Sequence, residues 1–299
     1  MTRVLASDSL RLRRSVPFLL ACFLSACAAT PKTISAPVRH GDRASSAHDA
    51  AVEEAERLWD ERLDPAKLLG AIDAFKRAVA LADDDSRSWL MLARAEYFLA
   101  DGFLDLEHAP NDDVTKAFED GAAYADRGLR ALSREYELRR HSGLEVDEAS
   151  DGLGAETVPF VYWWGLNLIR WADRKGWATG AATYKHVQNV MERVAVLAPG
   201  FDHAGADRYF GAFYTDAPGL AGGDVAKGKA HLDQALEREP NYLENWVVIA
   251  QRYARKTKDG ALYQRARQFV LDTPAAAVPD AVPEQEIAKK KARSLKPEL

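Results

Sequence analysis

From His48 onward, apolar residues recur at every third or fourth position in helix-length segments broken by Pro, Gly and Asp clusters. That is the period of amphipathic α-helices. No run of alternating β-branched residues competes with it, so the pattern predicts an all-α fold. Two segments then match at long range. Ala71, Phe75 and Ala78 precede an acidic turn, Asp83–Asp85, and then Trp89, Leu92 and Ala93. Gly228, Leu232 and Ala235 precede Pro240 and then Trp246, Ile249, Ala250 and Tyr253. Phe75 to Trp89 and Leu232 to Trp246 both span 14 positions, while Leu58 to Leu92 and Pro240 to Pro274 both span 34. This is the spacing of tetratricopeptide hairpins. Small residues let helix A and helix B approach, large ones fill the groove, and each unit buries its face on its neighbours. The same logic buries the Trp246 ring between helices.

A third B-type segment, Val187, Met191 and Val194, ends at Pro199, and its follower begins with Gly205. The array is irregular, with an insertion between Leu99 and Asp113 and a loop from Arg140 to Glu156. The expectation is irregular tetratricopeptide-like helical-hairpin repeats forming one compact domain over 48–299, with a C-terminal helix at about 283–295.

The N-terminus breaks the helical pattern. Basic residues Arg11–Arg14 precede an apolar run from Val16 to Leu24, followed by Ser25, Ala26 and Cys27. This is the order of a secretory signal, and the run is about half the roughly 20 residues a membrane span needs. Leu24-Ser25-Ala26-Cys27 reads as a lipobox, so 1–26 is expected to be a lipoprotein signal peptide. Cys27 would be the lipid attachment site and the first residue after cleavage. Cys22 sits in a similar frame but leaves too short an apolar run, and Arg13-Arg14 lacks the rest of a twin-arginine motif. The polar, Pro/Gly-punctuated stretch over 28–47 completes, with Cys27, a lipidated flexible tether. Several acyl chains on one cysteine give firm anchoring. Ala28, rather than Asp, after the cysteine favours the outer membrane.

The composition of the 299 residues, 47% hydrophobic and 28% charged, is that of a folded soluble protein. Removing 1–26 takes away four arginines and one aspartate, leaving 36 basic and 44 acidic residues and a net charge of −8. No basic stripe offers itself to phosphates, which excludes nucleic acid as a partner. Both cysteines lie within 1–27, so the domain must rest on its core rather than on disulfides.

Two stretches stand out as candidate sites. Pro159–Trp171 is apolar on nearly all sides apart from Asn167 and Arg170, as in a helix at the centre of a domain. Its Tyr162, Trp163 and Trp164 could equally line an apolar pocket. Tyr209–Asp224 carries Tyr209, Phe210, Phe213 and Tyr214 ahead of a Pro/Gly-rich loop. The hypothesis is that Tyr162, Trp163, Trp164, Tyr209, Phe210 and Phe213 converge on an apolar-ligand cavity. Gly223, Gly228 and Lys229 nearly spell a phosphate-binding loop, but Ala230 lacks the hydroxyl and no strand precedes. Asp224 reads as a helix N-cap. His40 and His48 lie in or beside the tether, and the other histidines are scattered without ligand spacing. No HExxH or GxSxG motif occurs, so no catalytic residue, metal site or cofactor is expected.

From about Val158 to Leu295 the chain resembles the TatT component family, lipoproteins associated with tripartite ATP-independent periplasmic (TRAP) transporters. The resemblance rests on Pro159 with Tyr162-Trp163, a helix ending at Pro199, and Tyr209-Phe210-Gly211. Most specific is the loop Pro218-Gly219-Leu220 with Gly222-Gly223-Asp224, leading into Lys227, His231-Leu232, Ala235-Leu236 and Pro240. Glu284, Ala288-Lys289 and Ala292 close it, with Glu286 and Lys289–Lys291 as departures. The resemblance implies a non-catalytic periplasmic accessory that exchanges an apolar ligand with a TRAP-type solute-binding protein. It also implies homo-oligomers, with a trimer as the expected form. The competing reading is a tetratricopeptide adaptor lipoprotein holding a partner protein in envelope assembly. The first needs an apolar cavity reachable from solvent; the second needs an open groove lined by polar side chains.

Overall fold

The computed structural model describes residues 46–297, and within them every regular element is helical. The signal, Cys27 and most of the tether lie outside the described residues. α1 (Ser46–Asp60), α2 (Pro65–Leu81) and α3 (Ser86–Leu99) form the first hairpins, and α4 is Asn111–Leu132. The short helices α5 (Arg134–His141) and α6 (Val146–Ser150) lead to α7 (Val158–Lys175), α8 (Trp177–Leu197), α9 (Phe201–Asp216) and α10 (Val225–Arg238). The chain ends in α11 (Leu243–Val248), α12 (Arg255–Thr257), α13 (Gly260–Asp272) and α14 (Val282–Ser294).

Local chemistry sets these boundaries. The carboxylates of Asp64, Asp85 and Asp224 accept backbone N–H groups at the starts of α2, α3 and α10, satisfying donors that a helix start leaves free. Pro65 and Pro159 occupy first turns, where no N–H is needed. Consecutive helices pack in pairs, α1 on α2, α3 on α4, α7 on α8 and α9 on α10. α7 also lies against α3 and α4. It carries the main core, whose members include Val161, Tyr162, Val187, Met191 and Phe210.

The two long-range matches are structurally equivalent. Phe75, Ala78, Leu92 and Ala93 are buried in one, and Leu232, Ala235, Ile249 and Ala250 in the other. Trp89 Nε1 donates to the Asp83 carbonyl at 2.9 Å, and Trp246 Nε1 to the Pro240 carbonyl at 2.8 Å. Each indole therefore ties helix B to the turn six residues before it. That role keeps the edge of the ring at the surface, so Trp246 is only half-buried. Full burial between helices is thereby corrected.

One further expectation is corrected and two are refined. The segment Arg140–Glu156 is not simply a loop: α5 is capped by Ser133, and α6 by a reciprocal pair of Glu145 and Glu148. The insertion after Leu99 first continues α3 as a wide π-turn, Ala100–Leu104. His48 belongs to α1, where it is buried and meets Asp85 at 3.0 Å.

Candidate functional site

A cavity of about 520 Å³ lies among α3, α7, α9, α11 and α14, within the roughly 300–1,000 Å³ of small-molecule sites. Helical periodicity decides what reaches it. On α7, Trp163, Leu166, Arg170 and Asp173 share one face and line the cavity. Trp164, Leu168 and Trp171 share another and line a separate depression of about 270 Å³. On α9, Gly205, Tyr209, Ala212 and Asp216 follow one another down the cavity wall, with Phe213 beside them.

Of the six aromatic candidates, the structure thus brings Trp163, Tyr209 and Phe213 to one cavity. Trp164 turns away from it. Tyr162 is fully buried, and its hydroxyl donates to Asp202 Oδ2 at 2.5 Å. Phe210 packs edge-on against Tyr209 and also meets Tyr214 and His231.

Sequence reasoning missed the charged wall. Lys291 Nζ lies 2.6 Å from Asp101 and 2.8 Å from Glu244. Arg170 reaches Asp101 at 2.9 Å and Asp105 at 3.2 Å. Arg94 meets Glu284 at 2.8 Å, and Arg252 meets Asp216 at 2.9 Å. Burial by itself would raise the Asp101 carboxyl, but the Lys291 ammonium and the Arg170 guanidinium outweigh it and hold it below its ordinary range. Burial would likewise lower the Lys291 ammonium; Asp101 and Glu244 instead hold it above its ordinary value. Asp173, exposed at the mouth, is raised by partial withdrawal from water against the pull of Arg170. Only Arg170, interrupting an apolar helix, and the lysine run on α14 hinted at this wall.

One corner of the wall is strained. Asp202, His203 and Ala204 all adopt left-handed backbone angles, with φ of 48°, 54° and 63°, a conformation costing about 1–2 kcal/mol per L-residue. Arg208 clasps the turn. Its guanidinium donates to the Asp202 and His203 carbonyls at 3.2 and 3.1 Å, to Asp202 Oδ2 at 2.5 Å, and to Asn245 Oδ1 and the Tyr162 hydroxyl at 3.0 Å each. At Gly205 a side chain would collide with the Tyr162 hydroxyl, so glycine lets that ring reach the turn. Asp202, Gly205 and Arg208 all line the cavity.

No helix among the described residues is long and apolar enough to cross a membrane. What the geometry offers is a partly open binding space lined by aromatic rings and ion pairs. No curated protein matches the chain. A family model described as TRAP transporter T-component matches residues 90–299, which takes in the whole cavity wall and leaves out α1 and α2. The chain belongs to the family of TRAP transporter T-components.

Proposed function

We propose that the protein is a lipid-anchored periplasmic accessory that holds an apolar ligand for a TRAP-type uptake system and exchanges it with the system's solute-binding protein. The observation that carries this reading is the 520 Å³ cavity whose floor joins Trp163, Tyr209 and Phe213. Interiors pack at a density of about 0.75, so a space of this size beside large rings is best explained by an occupant. Catalysis plays no part in this reading, in which every cation lining the cavity is paired with a carboxylate. The lipobox cysteine would hold the cavity at the periplasmic face of the outer membrane, with the tether giving it reach. In this reading the working form is a homo-oligomer, a trimer by family resemblance.

The test uses the full chain with Cys22 and Cys27 changed to serine, titrated with the uncharged fluorophore N-phenyl-1-naphthylamine. Saturable binding is expected, with tryptophan emission reporting its entry, and Trp163→Ala should alter affinity more than the unfolding midpoint. If the probe does not bind at any concentration, the envelope adaptor becomes the better reading. Anchoring is tested separately in cells, where Cys27→Ser alone should abolish incorporation of labelled palmitate. Continued labelling would assign the anchor to Cys22.

A further inference from the structure

The wall has a property that an apolar cavity does not need. Of the twelve charged side chains lining it, seven are acidic and five basic. Arg62 and Arg174, outside the lining, pair with Glu284 at 2.9 Å and Asp105 at 2.6 Å and bring the two signs level. Every basic group on the wall has a carboxylate within ion-pair distance. Of the acids lining the cavity, only Asp173 has no cation within ion-pair distance among the described residues; it takes a hydrogen bond from Tyr184.

The neutral polar groups behave in the opposite way. The Tyr209 hydroxyl is buried without a hydrogen-bond partner. Gln251, also on the wall, makes no hydrogen bond among the described residues. A buried hydroxyl is ordinarily paired, so the Tyr209 hydroxyl is available to a ligand; the half-buried Gln251 amide on the same wall is a second such group, and the buried Nε of Arg170 is a third.

Resting on the apolar-ligand reading above, we infer that the natural ligand class is an uncharged amphiphile: an acyl or similar apolar body carrying hydroxyl or ester oxygens and no net charge. The body would lie on Trp163, Tyr209 and Phe213, and the oxygens would take the donors of Tyr209 and Gln251. A carboxylate or ammonium head would add one unmatched charge to a set that already balances. To pair, it would have to draw a cation, the nearly buried Lys291 or Arg208 or a more exposed one such as Arg252 at the mouth, from acids that would then stand alone. A hydroxyl or ester carries no such penalty.

The experiment compares three ten-carbon probes by calorimetry on the full chain with Cys22 and Cys27 changed to serine: 1-decanoylglycerol, decanoate and decylammonium, each below its micellar concentration. The glycerol ester should bind at least about tenfold tighter than either ion. Gln251→Leu should weaken it by about tenfold, the worth of one well-made hydrogen bond. Asp216→Asn, at the exposed mouth, releases Arg252 and should raise decanoate affinity. Equal or tighter binding of either ion overturns the inference while leaving the apolar cavity standing. So does ester binding indifferent to Gln251→Leu, or decanoate binding indifferent to Asp216→Asn. If neither these probes nor the naphthylamine binds, the cavity reading falls and takes the inference with it.

Discussion

The left-handed turn at the cavity corner makes Arg208 the most informative position to perturb. Arg208→Met keeps much of the side-chain stem and removes the guanidinium. Asp202, whose side chain is 13% exposed, would then keep the Tyr162 hydroxyl but lose its cation. Breaking a buried pair in this way costs about 3–5 kcal/mol. The carbonyls of Asp202 and His203 would also lose their clasp. Against this stands the strain of three left-handed residues, about 3–6 kcal/mol in total, part of which is released once the turn can relax. With about 1 kcal/mol for each lost carbonyl bond the loss comes to roughly 5–7 kcal/mol. If about half of the strain is released, a net loss near 3 kcal/mol is expected, tolerable for a domain stable by about 5–15 kcal/mol. Urea denaturation measures the loss, and hydrogen exchange should show His203–Gly205 opening well before α7. Adding Asp202→Asn removes the stranded carboxylate and should recover about half of the cost. A loss under about 1 kcal/mol, or strictly additive behaviour of the two substitutions, would refute the clasp.

Burial pushes the Glu96 carboxyl above its ordinary range although Lys76 lies 3.3 Å away. A folded-state value above the unfolded one means that the ionised form costs stability at neutral pH, a cost that disappears as pH falls below the ordinary 4.5. Glu96→Gln should therefore raise the denaturation midpoint at pH 7 and leave it unchanged in acid; a lower midpoint at pH 7 contradicts this. Gly211→Ala would place Cβ 2.5 Å from Leu232 Cδ2 where α9 crosses α10, and overpacking of about 1–3 kcal/mol should exceed the roughly 1 kcal/mol gain in helix propensity. A more stable variant would show that the two helices have room to spare. Trp246→Ala should cost about 2 kcal/mol rather than the 3–5 of a fully buried ring, and Trp89→Ala a similar amount; widely different costs would break the equivalence of the two repeats. Ile287→Ala should cost about 2–4 kcal/mol and lower amide protection in α2 and α3 as well as in α14, whereas an effect confined to α11–α14 would deny that the C-terminal helix braces the first hairpins.

The repeats were legible because their determinants are local. A small residue, a large residue and a turn at fixed spacing specify a hairpin whatever surrounds it, and Phe75 with Trp89 and Leu232 with Trp246 met that condition. α7 was legible for a related reason, since so apolar a helix has nowhere to go but the centre. Which of its aromatics face the cavity was not legible. Trp163 and Trp164 are neighbours in sequence and sit on different faces, and only the packing of α3 and α9 determines which face is hollow. The charged wall was invisible because its partners are remote: Asp101 and Lys291 lie 190 positions apart, as do Arg94 and Glu284. The left-handed turn escaped notice because Asp202, His203 and Ala204 carry no glycine among them. Asp and His tolerate this region better than most residues, but three in a row need the clasp of Arg208.

Helical hairpins stacked in series expose a concave face, which is the natural shape for gripping a partner segment. In this chain α14 stands in the way. Its Glu284 bonds Arg62 and Arg94 of the first hairpins, and Ile287 joins their core beside Phe98 and Phe103. On the same helix, Gln285 accepts from the Leu243 N–H at 2.8 Å and donates to the Asn241 carbonyl, while Lys291 spans Asp101 and Glu244. One helix thereby joins the first repeat to the last and supplies Glu284, Ile287 and Lys291 to the cavity wall. A groove built to admit a polypeptide gains nothing from a strap that spends buried ion pairs across its width. A space that holds a small molecule, as proposed above, needs such a wall.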